Sequence, residues 1–97
     1  RSRGLGDVYK RQRRDLKKHV NYISEVTVGM CIIEGMSAEG ERREAIANLV
    51  EKTLNLRSDI ISRISHTEPG NVKGFYKKLK SDFNTQIEEV FNKLNEK

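Results

Sequence analysis

The sequence predicts an all-α protein, a three-helix antiparallel bundle with up-down-up topology. Three segments carry apolar residues at spacings of three and four, which is the period of an amphipathic helix. Two short breaks rich in glycine, proline and polar residues separate these segments. Helices of about twenty residues, each about 30 Å long, pack most simply as antiparallel neighbours when their connections are short.

The first helix is predicted at about residues 15–34. Asp15 is the expected N-cap, because a carboxylate accepts hydrogen bonds from the free amides of the first turn. The predicted core face consists of Leu16, Val20, Ile23, Thr27 and Met30. Residues 26–33, VTVGMCII, also alternate as a strand would, but a lone strand would leave its backbone groups unpaired. We therefore predict that they are helical too.

The second helix is predicted at about residues 42–64, and the alternative is a start a few residues earlier. The break before it spans residues 35–41 and contains two glycines, with Ser37 as a candidate cap. A heptad-like rhythm runs through this helix and predicts its core face: Ile46, Leu49, Val50, Thr53, Leu56, Ile60 and Ile64.

The third helix is predicted at about residues 71–95, after a break at residues 65–71. Pro69 stops the preceding helix and Asn71 can cap the new one; a start at Thr67, with Pro69 in the first turn, is the alternative. Its predicted core face is the clearest of the three: Val72, Phe75, Tyr76, Leu79, Phe83, Ile87, Val90, Phe91 and Leu94.

The first twelve residues are set apart from this domain. Residues 2–12, SRGLGDVYKRQ, resemble the translation of a transposase-type sequencing adapter, and the chain has no initial Met, as in a reading frame from a metagenomic fragment. We interpret residues 1–12 as a non-native, adapter-derived segment and expect a single three-helix domain at residues 13–97. The formal net charge of +5 then falls to +2, because residues 1–12 hold four basic residues and one acidic residue.

The composition indicates a small cytoplasmic domain. Cys31 is the single cysteine and cannot form an internal disulfide, whereas a small secreted domain would usually carry several. The longest apolar run is too short, and too interrupted by Gly and Glu, to span a bilayer. We therefore expect no membrane contact.

The first helix is apolar on more than one side, which predicts an interface. Val26, Val28, Ile32 and Ile33 cannot all face one three-helix core, and a helix that is apolar nearly all round is normally buried on nearly all sides. We expect these four residues to contact a protein partner, which includes a second copy of the chain in a homodimer. The alternative is that Gly29 and Gly35 mark a local distortion and an earlier helix end.

A lysine cluster supports a second hypothesis, nucleic-acid binding. The residues are Lys73, Lys77, Lys78 and Lys80, and Arg13, Arg14, Lys17 and Lys18 form a second basic patch. Such patches hold phosphates without reading sequence. Phe75, Tyr76 and Leu79 are core residues by periodicity rather than stacking platforms, and the lysine cluster contains no Arg for base readout. Nucleic-acid binding is therefore the less favoured class.

The polar turn at His66, Thr67 and Glu68 is the remaining candidate site. A His beside a carboxylate can do acid–base work or hold a metal, but capping explains every residue type present. His19, Cys31 and His66 lack the close pairs of a zinc site. No phosphate-binding loop, carboxylate pair or nucleophile elbow is present. We expect no catalysis, cofactor, metal or small-molecule substrate.

Three segments are similar to small, uncharacterised helical proteins of gut bacteria. They read RRDLKKHVNYI, DIISRISHTEPGN and VKGFYKKLKSDFN. The similarity covers nearly all of residues 13–97 and implies a bacterial helical domain that is truncated only slightly at its start. It implies no activity, substrate or functional residue.

Overall fold

The chain folds into three packed α-helices, as predicted. The structure is a computed structural model that describes the backbone of residues 3–66 and 72–95 and the side chains of residues 10–66 and 74–95. Within these residues the elements are α1 (Arg3–Met36), α2 (Gly40–Ser65) and α3 (Val72–Asn95), and no strand is present. The bundle is elongated, with principal extents of 60 × 17 × 17 Å.

Contacts between the helices establish the up-down-up topology. Arg42, near the start of α2, donates hydrogen bonds to the carbonyl oxygens of Lys93 and Leu94 near the end of α3, so α2 and α3 are antiparallel. The Arg13 side chain donates to the Tyr76 hydroxyl over 3.3 Å, so the early part of α1 lies beside the early part of α3. Helices α1 and α3 therefore run in the same direction.

Helix α1 begins twelve residues before its predicted start. Asp15 lies inside the helix, so the prediction that it is the N-cap is wrong. Residues 10–14 are Lys, Arg and Gln, which are good helix formers, and extending an existing helix adds one hydrogen bond for each residue fixed. The strand-like residues 26–33 are helical, which confirms the prediction for that segment.

The connection between α1 and α2 differs from the predicted one. The Ser37 hydroxyl donates to the carbonyl oxygen of Glu34 over 3.4 Å, so it caps the end of α1 rather than the start of α2. Helix α2 instead begins after Glu39, which makes no side-chain capping bond. Its first residue, Gly40, has a φ of +60°, a value that glycine adopts without a steric penalty.

The core consists of two apolar clusters along the bundle. The larger cluster contains Leu16, Val20, Leu56, Ile60, Ile64, Tyr76, Leu79, Phe83 and Ile87. The smaller cluster contains Cys31, Ile46, Leu49, Val90 and Leu94. Between them lie three buried polar residues, namely Ser24, Thr27 and Thr53. Both threonine hydroxyls donate to the carbonyl oxygen four residues earlier, Thr27 to Ile23 and Thr53 to Leu49.

Most of the predicted core faces of α2 and α3 is confirmed, although Val50, Phe75 and Phe91 are only partly buried and the Val72 side chain lies outside the described residues. The predicted core face of α1 is partly wrong. Met30, predicted to face the core, is 41% exposed, and Ile23 is only partly buried. Ser24 and Cys31 occupy the core positions instead. The physical reason is that α1 carries apolar residues on several sides, so periodicity alone does not determine which side the other helices cover.

Candidate interaction surface

Exposed apolar side chains concentrate on one stretch of α1. The described residues contain seven large hydrophobic side chains that are exposed, and six of them lie between residues 22 and 36. These six are Tyr22, Val26, Met30, Ile32, Ile33 and Met36, and the seventh is Leu54 on α2. The sequence prediction included Val26, Ile32 and Ile33 but missed the other four.

Five residues form an apolar line along the side of α1 that faces away from the bundle, here called the outer stripe. They are Tyr22, Val26, Gly29, Ile33 and Met36, at spacings of four, three, four and three. The opposite side of α1 carries the buried residues Ser24, Thr27 and Cys31. Tyr22, Ile33 and Met36 are 65%, 67% and 81% exposed, so bundle packing does not explain them.

The other two predicted interface residues lie beside α2. Val28 and Ile32 line a shallow groove with Leu54 and Arg57 of α2, here called the side groove. Val28 is half-buried and Ile32 is 55% exposed. The structure therefore exposes three of the four predicted residues and leaves Val28 half-buried. They lie on two sides of α1: Val26 and Ile33 belong to the outer stripe, and Val28 and Ile32 to the side groove.

Charge is distributed unevenly along α1. Arg13, Arg14, Lys17 and Lys18 lie in its first half, whereas residues 19–41 contain four acidic residues and no Lys or Arg. A helix dipole favours acidic residues at the N-terminus and basic residues at the C-terminus. Helix α1 has no acidic residue in its first turn and no basic residue in its last, so neither end carries a charge that offsets the helix dipole.

The two predicted basic patches lie at the same end of the bundle. Lys77, Lys78 and Lys80 are exposed on α3, and the bond from Arg13 to Tyr76 brings the start of α1 beside them. The Lys73 side chain lies outside the described residues. Lys77 and Lys80 line a cleft whose α1 side includes Asp15 and His19, so a carboxylate offsets part of the positive charge.

The aromatic residues near the lysines belong to the core, as predicted. Tyr76 and Leu79 are buried, and Phe75 is partly buried against the larger cluster. The rings of Phe75 and Tyr76 therefore do not form an exposed row of stacking platforms for nucleic-acid bases.

At the polar turn, the described part acts as a helix cap. The His66 ring approaches the carbonyl oxygen of Ser62 to 2.8 Å through Nδ1, and the His66 backbone amide donates to the carbonyl oxygens of Ser62 and Arg63. Because a carbonyl oxygen can only accept, this contact requires Nδ1 to carry the hydrogen. His66 therefore caps the end of α2, while Thr67 and Glu68 lie outside the described residues.

The residues considered for metal binding or thiol chemistry, His19 and Cys31, each have a separate structural environment. His19 contacts Asn84 over 3.3 Å and packs its ring edge-on against Phe83. Cys31 is fully buried, and desolvation raises the pKa of its thiol, which lowers the fraction of reactive thiolate. Among the described side chains, no group of three His, Cys, Asp or Glu could hold a metal ion.

Comparisons of the chain with protein-family models, curated proteins and solved structures found no match. The adapter-like and bacterial resemblances therefore stay predictions. None of the helices in the described residues is both long and apolar enough to cross a membrane.

Proposed function

We propose that this protein is a small helical interaction module whose α1 surface binds another protein. One observation carries the proposal: six of the seven exposed large hydrophobic side chains in the described residues lie on one fifteen-residue stretch of α1. Single exposed hydrophobic residues are normal, but a contiguous apolar patch on a small domain is typical of an interaction site.

The chemistry of this stretch supports binding to protein rather than to a charged ligand. Between residues 22 and 36 the only charged side chains are Glu25 and Glu34. Burying apolar surface contributes about 25 cal/mol of favourable free energy for each Å² removed from water, so contact with a second apolar face stabilises the complex. The module acts through this contact, without catalysis, cofactor or metal.

The cellular setting that we propose is a bacterial cytoplasm. Cys31 is buried and has no second cysteine with which to form an internal disulfide, which suits a reducing compartment. The similarity to small helical proteins of gut bacteria supports the bacterial origin.

The double substitution Val28→Lys and Ile32→Lys tests this function. We expect the variant to keep the wild-type helix content and thermal midpoint to within a few degrees, because Ile32 is exposed and Val28 is only half-buried at the edge of the side groove. We also expect weaker association, because the side groove borders Gly29 of the outer stripe and a partner that covers this border would have to desolvate two ammonium groups. Circular dichroism measures the folding, and light scattering over a range of concentrations measures the association.

The matched control for this experiment is Val20→Lys, which places the same charge at a fully buried position of α1. This control is expected to unfold. If the double variant unfolds as completely as the control, Val28 and Ile32 are core residues and the interaction module is wrong.

The second candidate function is weak, sequence-independent nucleic-acid binding. It is favoured by one observation, the proximity of the α1 and α3 basic patches at one end of the bundle. Lys and Arg that neutralise phosphates release counterions, so such binding needs no further structure. The carboxylate of Asp15 beside Lys77 and Lys80 opposes it.

Salt dependence tests the nucleic-acid hypothesis. Fluorescence anisotropy with a short DNA duplex should show affinity that falls steeply between about 50 and 200 mM salt. Lys77→Gln combined with Lys80→Gln should weaken binding and lower the slope. Lys93→Gln, an exposed lysine at the other end of α3, should change neither. An absence of binding at the lowest salt concentration rules this function out.

A further inference from the structure

We propose that the partner of the outer stripe is a second copy of this chain, with the two α1 helices antiparallel. This inference rests on the proposed function and names its partner. It requires a surface on α1 that is complementary to itself, because the two copies of a symmetric dimer present the same residues to each other.

The spacing of the outer stripe provides such a surface. Residues at spacings of four, three, four and three form the a and d positions of a heptad seam, which packs against another helix at a shallow crossing angle. The stripe runs from Tyr22 to Met36, about 21 Å at 1.5 Å per residue. Ser24, Thr27 and Cys31 occupy the opposite side, so the seam is open along this length.

Charge determines the direction of the second copy. A parallel pair would place Arg13, Arg14, Lys17 and Lys18 against the same residues of the second copy. An antiparallel pair separates the two basic segments and places each near the last turn of the other α1, which ends at Met36 and carries Glu34.

Gly29 lies near the centre of the stripe and determines the register. A Cβ atom added there would have no neighbour within 4 Å, so the surface is open where two helices would cross. A two-fold axis beside residues 27 and 28 pairs Tyr22 with Ile33 and Val26 with Gly29. The same axis places Lys18 just beyond the end of the other α1, whose last turn carries Glu34. The bulk of Val26 then fills the space that the glycine leaves.

Two lysine variants of the intact chain test the surface. Ile33→Lys places a charge in the outer stripe, and we expect sedimentation to show a dissociation constant raised at least tenfold. Thr85→Lys is the matched control, because it adds the same charge at an exposed position of α3, outside both the outer stripe and the side groove. Equal effects of the two variants, or a wild-type chain that is monomeric at every concentration, would overturn the proposal.

Engineered cysteines test the direction. A Tyr22→Cys chain mixed with an Ile33→Cys chain should form a disulfide-linked heterodimer, because the two positions face each other. Tyr22→Cys alone should cross-link poorly, since its two copies lie about 16 Å apart along the helix and a disulfide needs Cα atoms within about 7 Å. The wild-type chain controls for Cys31, which is fully buried.

Efficient cross-linking of Tyr22→Cys alone means a parallel pair and contradicts the proposal, as does the absence of heterodimer in the mixture. Failure of this inference is separable from failure of the interaction module. A monomeric wild-type chain with a folded Val28→Lys, Ile32→Lys variant overturns only the second copy, and a different protein is then the partner. Unfolding of that double variant overturns the module itself.

Discussion

Replacing Phe83 by Ala should lower the free energy of unfolding by about 3–5 kcal/mol. Phe83 is fully buried in the larger core cluster and is the largest fully buried side chain among those that the structure describes. Its loss removes a buried ring and leaves a cavity that two flanking helices cannot fill. A domain of this size buries only about 60% of the surface of its unfolded chain, so this loss is a large share of its stability.

Urea unfolding followed by circular dichroism measures this effect. Phe91→Ala is the matched control, because it removes the same side chain from α3 at a position that is only partly buried. We expect the control to lose less than half as much stability. Equal losses at the two positions would mean that the core is not centred where the structure places it.

Replacing Ser24 by Ala should have the opposite sign and raise the free energy of unfolding by about 1–2 kcal/mol. The Ser24 hydroxyl is buried, and none of the described residues provides it with a hydrogen-bond partner. An unsatisfied buried hydroxyl costs about 1–3 kcal/mol, and Ala is also the better helix former. Removing the oxygen atom changes the side-chain volume very little.

Thr27→Val is the control for this prediction, again measured by urea unfolding. The Thr27 hydroxyl is also buried but donates to the carbonyl oxygen of Ile23 over 2.7 Å, so its replacement should change stability by no more than about 1 kcal/mol. If Ser24→Ala destabilises the protein, the Ser24 hydroxyl has a partner and the account of this polar layer is wrong.

The sequence predicts α2 and α3 well because each has a single apolar stripe. Ile46, Leu49, Leu56, Ile60 and Ile64 repeat at helical spacing along α2, and these residues are buried in the structure. One stripe leaves one way to face the core.

Helix α1 could not be predicted to the same depth, since it has several apolar sides. Met30 and Ser24 are neighbours of the core face, and only the approach of α2 and α3 decides which of them is buried. Packing buries Ser24 and exposes Met30, although Ser24 is polar and Met30 is hydrophobic. The helix start was missed for a related reason: Asp15 has the chemistry of a cap, but the helix-forming residues before it continue the helix.

The candidate interaction surface was half predicted. Too many apolar residues on one helix indicate exposure, which correctly selects Val26, Ile32 and Ile33. The same reasoning does not separate the outer stripe from the side groove, because that separation depends on where α2 lies. Met36 was missed because it lies in the predicted break after the first helix, and Leu54 because only the approach of α1 brings it to the side groove.

The most direct test of an association surface on α1 is the solution mass of the intact chain, measured by light scattering over a wide range of concentrations. The chain has a mass of 11.2 kDa, and we expect twice this value at high concentration, returning to the single mass on dilution. A mass of one chain at every concentration would contradict self-association through the outer stripe.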